Sequence, residues 1–125
     1  MQLSKEKLTD DVKRKIFNNF YQLIADLNNF NQSKRFLNSF LTDTERINLA
    51  KRLAIALYLE KGHSYEEIKK DLKVSSATIA SVDKIIKKNQ ESFSVAIEKI
   101  KTNRWAEQWA KKISQTVGKI VKKDQ

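Results

Sequence analysis

No proline occurs anywhere in the 125 residues, and glycine occurs only at Gly62 and Gly118. A chain so poor in backbone breakers is constrained towards helix, because proline and glycine are the residues that most often end or kink one. The length suits one domain with its own core and is too short for two of ordinary size. Cysteine is absent, which excludes disulfides and thiolate metal sites and fits a reducing compartment. No apolar run approaches the roughly 20 residues that span a bilayer. The opening MQLSKEKLTDDVKRK is too charged for a signal peptide. The expectation is an all-α protein, cytoplasmic and soluble, with no integral membrane association.

Apolar periodicity places the helices. Leu8, Val12, Ile16, Phe20, Leu23, Leu27 and Phe30 recur at steps of three or four, which predicts one long helix near residues 5–30. Asparagines then loosen the pattern, and Phe36, Leu37, Phe40 and Leu41 suggest a short helix over Ser33–Phe40. Thr42 with Glu45 three positions on is a capping box that opens a third helix. Its second half, LAIALYLE, is apolar on nearly every side, the mark of a buried helix. Gly62 stops it. This helix is the candidate centre of the core.

Ser64 with Glu67 forms a second capping box, opening a fourth helix through Leu72. After the turn KVS, Ser75 caps a fifth helix to about Lys88. A helix of about eight residues is not stable alone in water. Residues 64–88 must therefore pack as one unit, a helix-turn-helix by their own pattern. Ile68 and Leu72 face inward from the first helix, Val74 plugs the turn, and Ile79, Val82 and Ile86 line the second. Ser76, Ala77, Thr78 and Ala80 are left to face a groove of DNA. Small side chains there let the backbone approach base edges; alanine and threonine methyls can touch thymine methyls, and serine or threonine hydroxyls can bond to base edges. Lys69, Lys70, Lys84, Lys87 and Lys88 are placed to hold phosphates without reading sequence. Asp83 opposes this, since a carboxylate facing DNA repels phosphate. An ordinary pair of core-packing helices is the alternative reading of the same pattern.

Charge favours a polyanionic partner. The formal net charge is +10, unevenly spread: 14 basic residues face 11 acidic ones up to Asp83, but 11 face 3 from Lys84 to Lys123. Phosphates release counterions to such a surface. Catalysis has little to stand on. His63 is the single histidine and cannot make a metal site by itself. No nucleophile has a base beside it, and no phosphate-binding or dinucleotide glycine pattern is present. Glu66–Glu67 and Asp10–Asp11 suit helix N-termini rather than an acid–base pair. The chain is not expected to be an enzyme.

The run FLTDTERINLAKRLAIALYLEKGHSYEEIKKDLKVSSATIASV resembles the Trp repressor-related family, in its YerC-like branch, over about residues 36–90. The LT…ER…L…R run, the central helix and the SSATI start of the recognition helix occur in the family's order. The resemblance implies a Trp repressor-like fold of about six helices, an intertwined homodimer, and recognition helices entering successive major grooves of double-stranded DNA. It implies a sequence-specific transcriptional regulator, a repressor by analogy. Residues 1–90 would form that domain, with the helix-turn-helix at 64–88. The DNA-binding set is then Lys69, Lys70, Ser75, Ser76, Ala77, Thr78, Ala80, Ser81, Lys84, Lys87 and Lys88.

Two positions depart from the family's pattern. Arg52 and Thr42 match residues of the tryptophan corepressor pocket, but the second arginine of that pocket falls at Ser81. A carboxylate ligand thereby loses one cationic partner. No cofactor is expected, tryptophan or another small effector is disfavoured, and Thr42 and Arg52 line a remnant pocket or support the core. Lys73 stands where a glycine often supplies a left-handed turn residue, at a cost of about 1 kcal/mol if that geometry is kept.

Residues 91–125 are expected to form a basic, amphipathic C-terminal helical extension. Trp105, Trp109, Ile113, Val117, Ile120 and Val121 line its apolar side. Packing on the domain or across a dimer is the default; docking on another protein or more DNA, or lying on a membrane surface, are alternatives. Two further functions therefore stand beside the regulator. One is a non-specific nucleic-acid binder acting by charge alone. The other is an interaction or membrane-surface protein acting through the tryptophan helix.

Overall fold

A computed structural model describes residues 5–101 of the chain. The C-terminal tryptophan helix expected above lies outside the described residues. Among the described residues the fold is all-α, with six helices in order: α1 (Asp10–Asp26), α2 (Phe30–Phe40), α3 (Asp43–Glu60), α4 (Tyr65–Leu72), α5 (Ser76–Lys88) and α6 (Gln90–Lys101). None of these is long and apolar enough to cross a membrane. The chain divides between Asn48 and Leu49 into two compact units.

The first unit holds α1, α2 and the start of α3. Thr9 caps α1, its hydroxyl accepting from the Val12 N–H at 3.3 Å, and Asp10 and Asp11 sit in the first turn where the helix dipole favours them. The helix predicted over residues 5–30 is shorter and ends at Asp26. Asn29 is the reason: its side chain accepts from the Gln32 N–H at 2.8 Å and starts α2 at Phe30, three residues before the expected Ser33. A short amide side chain competing for backbone donors favours a cap over continued helix. Thr42 and Glu45 form the expected box at the head of α3. The Glu45 N–H donates to Thr42 Oγ1 at 3.1 Å, and the Thr42 N–H donates to Glu45 Oε1 at 2.9 Å. The backbone donor of Thr42 first, and its hydroxyl second, hold the Glu45 carboxyl below its ordinary range.

Within α1 no residue is buried. Val12, Ile16, Phe20 and Leu23 are apolar at helical spacing, yet each is more than a third exposed. The part of the predicted stripe that lies within α1 forms, and it is left exposed among the described residues.

The second unit contains the core. Ile55 of α3, Ile68 of α4 and Ile79 of α5 are completely buried, and Ala56, Tyr58 and Val82 join them. Leu72, Val74, Ile86 and Phe93 pack around that cluster. The apolar half of α3 is buried over Ile55–Tyr58, as its all-round hydrophobicity predicts. Each buried isoleucine contributes about 1.5–3 kcal/mol by leaving water. That burial stabilises α4, which at eight residues could not persist alone. α6 closes the unit through Phe93 and the buried Ile97, and Lys101 reaches Glu60 at 3.1 Å.

Two left-handed residues make the corners. Gly62 has φ 82°, and the Gly62 and His63 N–H groups donate to the carbonyls of Leu59 and Tyr58, both at 3.0 Å, satisfying the end of α3. A Cβ there would meet nothing, so the torsion rather than space calls for glycine. Lys73 ends α4 at φ 55° and ψ 53°, with its N–H donating to the Lys69 carbonyl at 3.0 Å. Lys51 Nζ of α3 donates to the Lys73 carbonyl at 3.4 Å and helps hold the turn. A lysine in this conformation is strained by a clash that glycine lacks. Lys73→Gly should therefore raise stability by up to about 1 kcal/mol in urea unfolding, while Lys73→Ala should not.

Candidate nucleic-acid interface

The α4–α5 unit is built from its caps inward. Ser64 caps α4 by accepting from the Glu67 N–H at 3.2 Å. Its hydroxyl donates to Glu67 Oε1 at 3.2 Å, while Glu67 Oε2 lies 2.6 Å from His63 Nδ1. His63 is thus a partner of the α4 cap, and its ring lies 4.7 Å from that of Tyr58. The bond to His63 chiefly holds the Glu67 carboxyl below its ordinary range; burial opposes it, and the bonds to Ser64 add to the lowering. Ser75 caps α5, accepting from the Thr78 N–H at 3.1 Å with its Oγ 2.9 Å from Thr78 Oγ1.

Two tyrosines bind the helices to one another. The Tyr58 hydroxyl of α3 donates to Asp71 Oδ2 of α4 at 3.1 Å. Burial first, and then that bond, push Tyr58 up to about 12, so it stays a donor at any ordinary pH. The Tyr65 hydroxyl of α4 donates to Asp83 Oδ2 of α5 at 3.1 Å, and burial followed by that bond raises Tyr65 as well. Sequence reasoning missed both links. A buried or half-buried tyrosine needs a partner for its hydroxyl, which is the available signal, but nothing local says which carboxylate supplies it.

Only one face of α5 reaches the core. Ile79 and Val82 are buried and Ile86 is half-buried, whereas Ser75, Ser76, Ala77, Thr78, Ala80, Ser81, Lys84, Lys87 and Lys88 are all exposed. Ala77, Ser81, Lys84 and Lys88 follow one another at steps of three or four and, with Ala80 beside them, make one outward stripe. The structure therefore brings every predicted α5 position to the surface. The lysines differ in their surroundings. Lys70, Lys84 and Lys88 form no ion pair among the described residues. Lys69 lies 3.8 Å from Glu66, and Lys87 lies 3.2 Å from Asp83. The two residues matched to an effector pocket are placed as follows. The Thr42 hydroxyl is engaged in the α3 cap, and Arg52 is exposed on α3.

A buried face on each of two short helices, a tight left-handed turn and an open leading edge on the second helix define a helix-turn-helix protein of the all-helical kind. The model of the Trp repressor protein family matches residues 15–101, and the chain belongs to that family. It is also similar to the uncharacterized protein YerC of Bacillus subtilis (strain 168), 26% identical over 92 residues that cover 74% of this chain and 88% of that protein. No solved structure matches the chain. Membership points to a DNA-binding regulator of transcription rather than an enzyme.

The Glu67 pairing has a measurable consequence. Its folded value is depressed, so its contribution to stability is complete above the ordinary value of 4.5 and is lost as pH falls through the lower folded value. Unfolding midpoints between pH 6 and pH 3 should fall less steeply for Glu67→Gln than for the unaltered chain.

Proposed function

We propose that the protein is a homodimeric, sequence-specific regulator of transcription, a repressor, that lays α5 in the major groove of double-stranded DNA. The observation that carries this reading is the split of α5 between a buried face at Ile79 and Val82 and an exposed leading edge at Ser76, Ala77, Ala80 and Ser81. Small side chains there allow close approach to base edges, where methyls can meet thymine methyls and hydroxyls can bond to bases. Lys70, Lys84 and Lys88, without carboxylate partners among the described residues, hold phosphates on either side. The charge of +10 supplies the salt-dependent part of the affinity.

The dimer reading draws on α1. A helix with Val12, Ile16, Phe20 and Leu23 all exposed is an apolar surface of the kind that marks an interaction site. A second copy covering it would pair two recognition helices and call for half-sites about 34–36 Å apart. Tryptophan is not assigned as corepressor, because Ser81 replaces one cationic partner and the Thr42 hydroxyl already serves a cap. The protein would work in the cytoplasm, on the chromosome.

Selection of bound duplexes from a random pool tests the reading, with an enriched palindrome as the expected product. A pool that stays random, with affinity set by salt alone, would leave only a non-specific polyanion binder. Ala77→Glu, which puts a carboxylate on the leading edge, should weaken the selected duplex by at least about tenfold, equivalent to 1.4 kcal/mol. Helicity and the oligomeric state should not change.

A further inference from the structure

Asp83 stands out on a helix otherwise suited to DNA. It is the one acidic residue of α5, and it lies one turn beyond Ala80 and one turn before Lys87. Its side chain is only 23% exposed. Oδ2 accepts from the Tyr65 hydroxyl at 3.1 Å and from Lys87 Nζ at 3.2 Å. The tyrosine comes from α4, which packs on α5, so the carboxylate is held by the helix-turn-helix itself rather than by a surface side chain free to swing away.

We propose that Asp83 is a fixed electrostatic brake on the DNA-binding surface: Tyr65 pins its carboxylate beside the outward stripe of α5, where it neutralises Lys87 and repels phosphate. This inference rests on the regulator reading above. A lysine–carboxylate pair one helical turn apart whose lysine is exposed is weak, about 0.3–0.5 kcal/mol, so Lys87 is not locked away by the pair alone. The persistent element is the charge. Because Tyr65 anchors it, the carboxylate stays when a phosphate approaches and offsets the gain that Lys87 would make there. Phosphate contacts contribute equally on every sequence, whereas base contacts do not. A brake on the phosphate term therefore lowers binding to arbitrary DNA and leaves selective binding more dependent on the small residues at the head of α5.

The test uses the full chain and two duplexes, one selected from a random pool and one scrambled, titrated between 50 and 200 mM KCl. Asp83→Asn keeps the shape of the side chain and an acceptor for Tyr65 but removes the charge. It should bind both duplexes about threefold or more tightly, with a slope of log affinity on log salt steeper by about 0.9, the value of one added phosphate contact. Adding Lys87→Ala to Asp83→Asn should return the slope to its original value. Tyr65→Phe keeps the charge but releases the carboxylate from its anchor, so it should steepen the slope as well, by less than Asp83→Asn.

Three results would overturn the brake while leaving selective binding by the unaltered chain in place. The first is Asp83→Asn with unchanged slope and unchanged scrambled-duplex affinity. The second is Lys87→Ala alone flattening the slope by about 0.9, which would mean that Lys87 already contacts phosphate. The third is Tyr65→Phe leaving the slope unchanged while Asp83→Asn steepens it, which would mean that the charge acts without the tyrosine's anchor. Failure of the unaltered chain to prefer the selected duplex would instead remove the regulator reading, and the brake with it.

Discussion

Ile55, Ile68 and Ile79 meet where α3, α4 and α5 pack together, and all three are sealed from solvent. The presentation of α5 depends on that contact. α4 has eight residues, too few to nucleate and hold a helix in water, and α5 has thirteen, only marginally enough. Each acquires its shape by burying one isoleucine against a helix that is itself apolar nearly all round. Truncating any member to alanine removes about 2–5 kcal/mol, a large part of the stability of a domain this small.

Packing alone fixes distance better than rotation. Apolar side chains tolerate small slips, whereas a hydroxyl on a carboxylate does not. Tyr58 on Asp71 and Tyr65 on Asp83 place one directional bond at each helix pair, both at 3.1 Å. The turn between α4 and α5 is further set by Lys73 in the left-handed region and by Lys51 on its carbonyl. The outcome is a short helix whose inner face is fixed by its neighbours and whose outer face is polar and small. Family membership points to a partner class for the chain, nucleic acid, and the charge surplus supports the same one.

Local signals carried much of this into the sequence. The Thr42–Glu45 box, the stop at Gly62 and the serine caps at Ser64 and Ser75 act over three or four residues, and all appear where their spacing places them. The inner faces of α4 and α5 were legible for the same reason, since helical period alone sorts Ile68, Ile79 and Val82 from their neighbours. The end of α1 was less legible. Its stripe continues through Leu27 and Phe30, and the side-chain bond of Asn29 outweighs that continuity. The partners of His63, Tyr58 and Lys87 could not be ranked in advance, because several carboxylates lie within reach on any helical drawing.

What the sequence determined by itself was the helical class, the positions of the caps and which face of each short helix is apolar. These depend on residue type and on spacings of three or four, which every copy of the chain carries before it folds. Only the tertiary structure decided that Asp71 belongs to Tyr58 and Asp83 to Tyr65, across 13 and 18 residues. It alone decided that the stripe of α1 stays exposed among the described residues. The reason is physical: a helix dictates which residues share a face, but which surface meets that face is settled by the packing of elements distant in sequence.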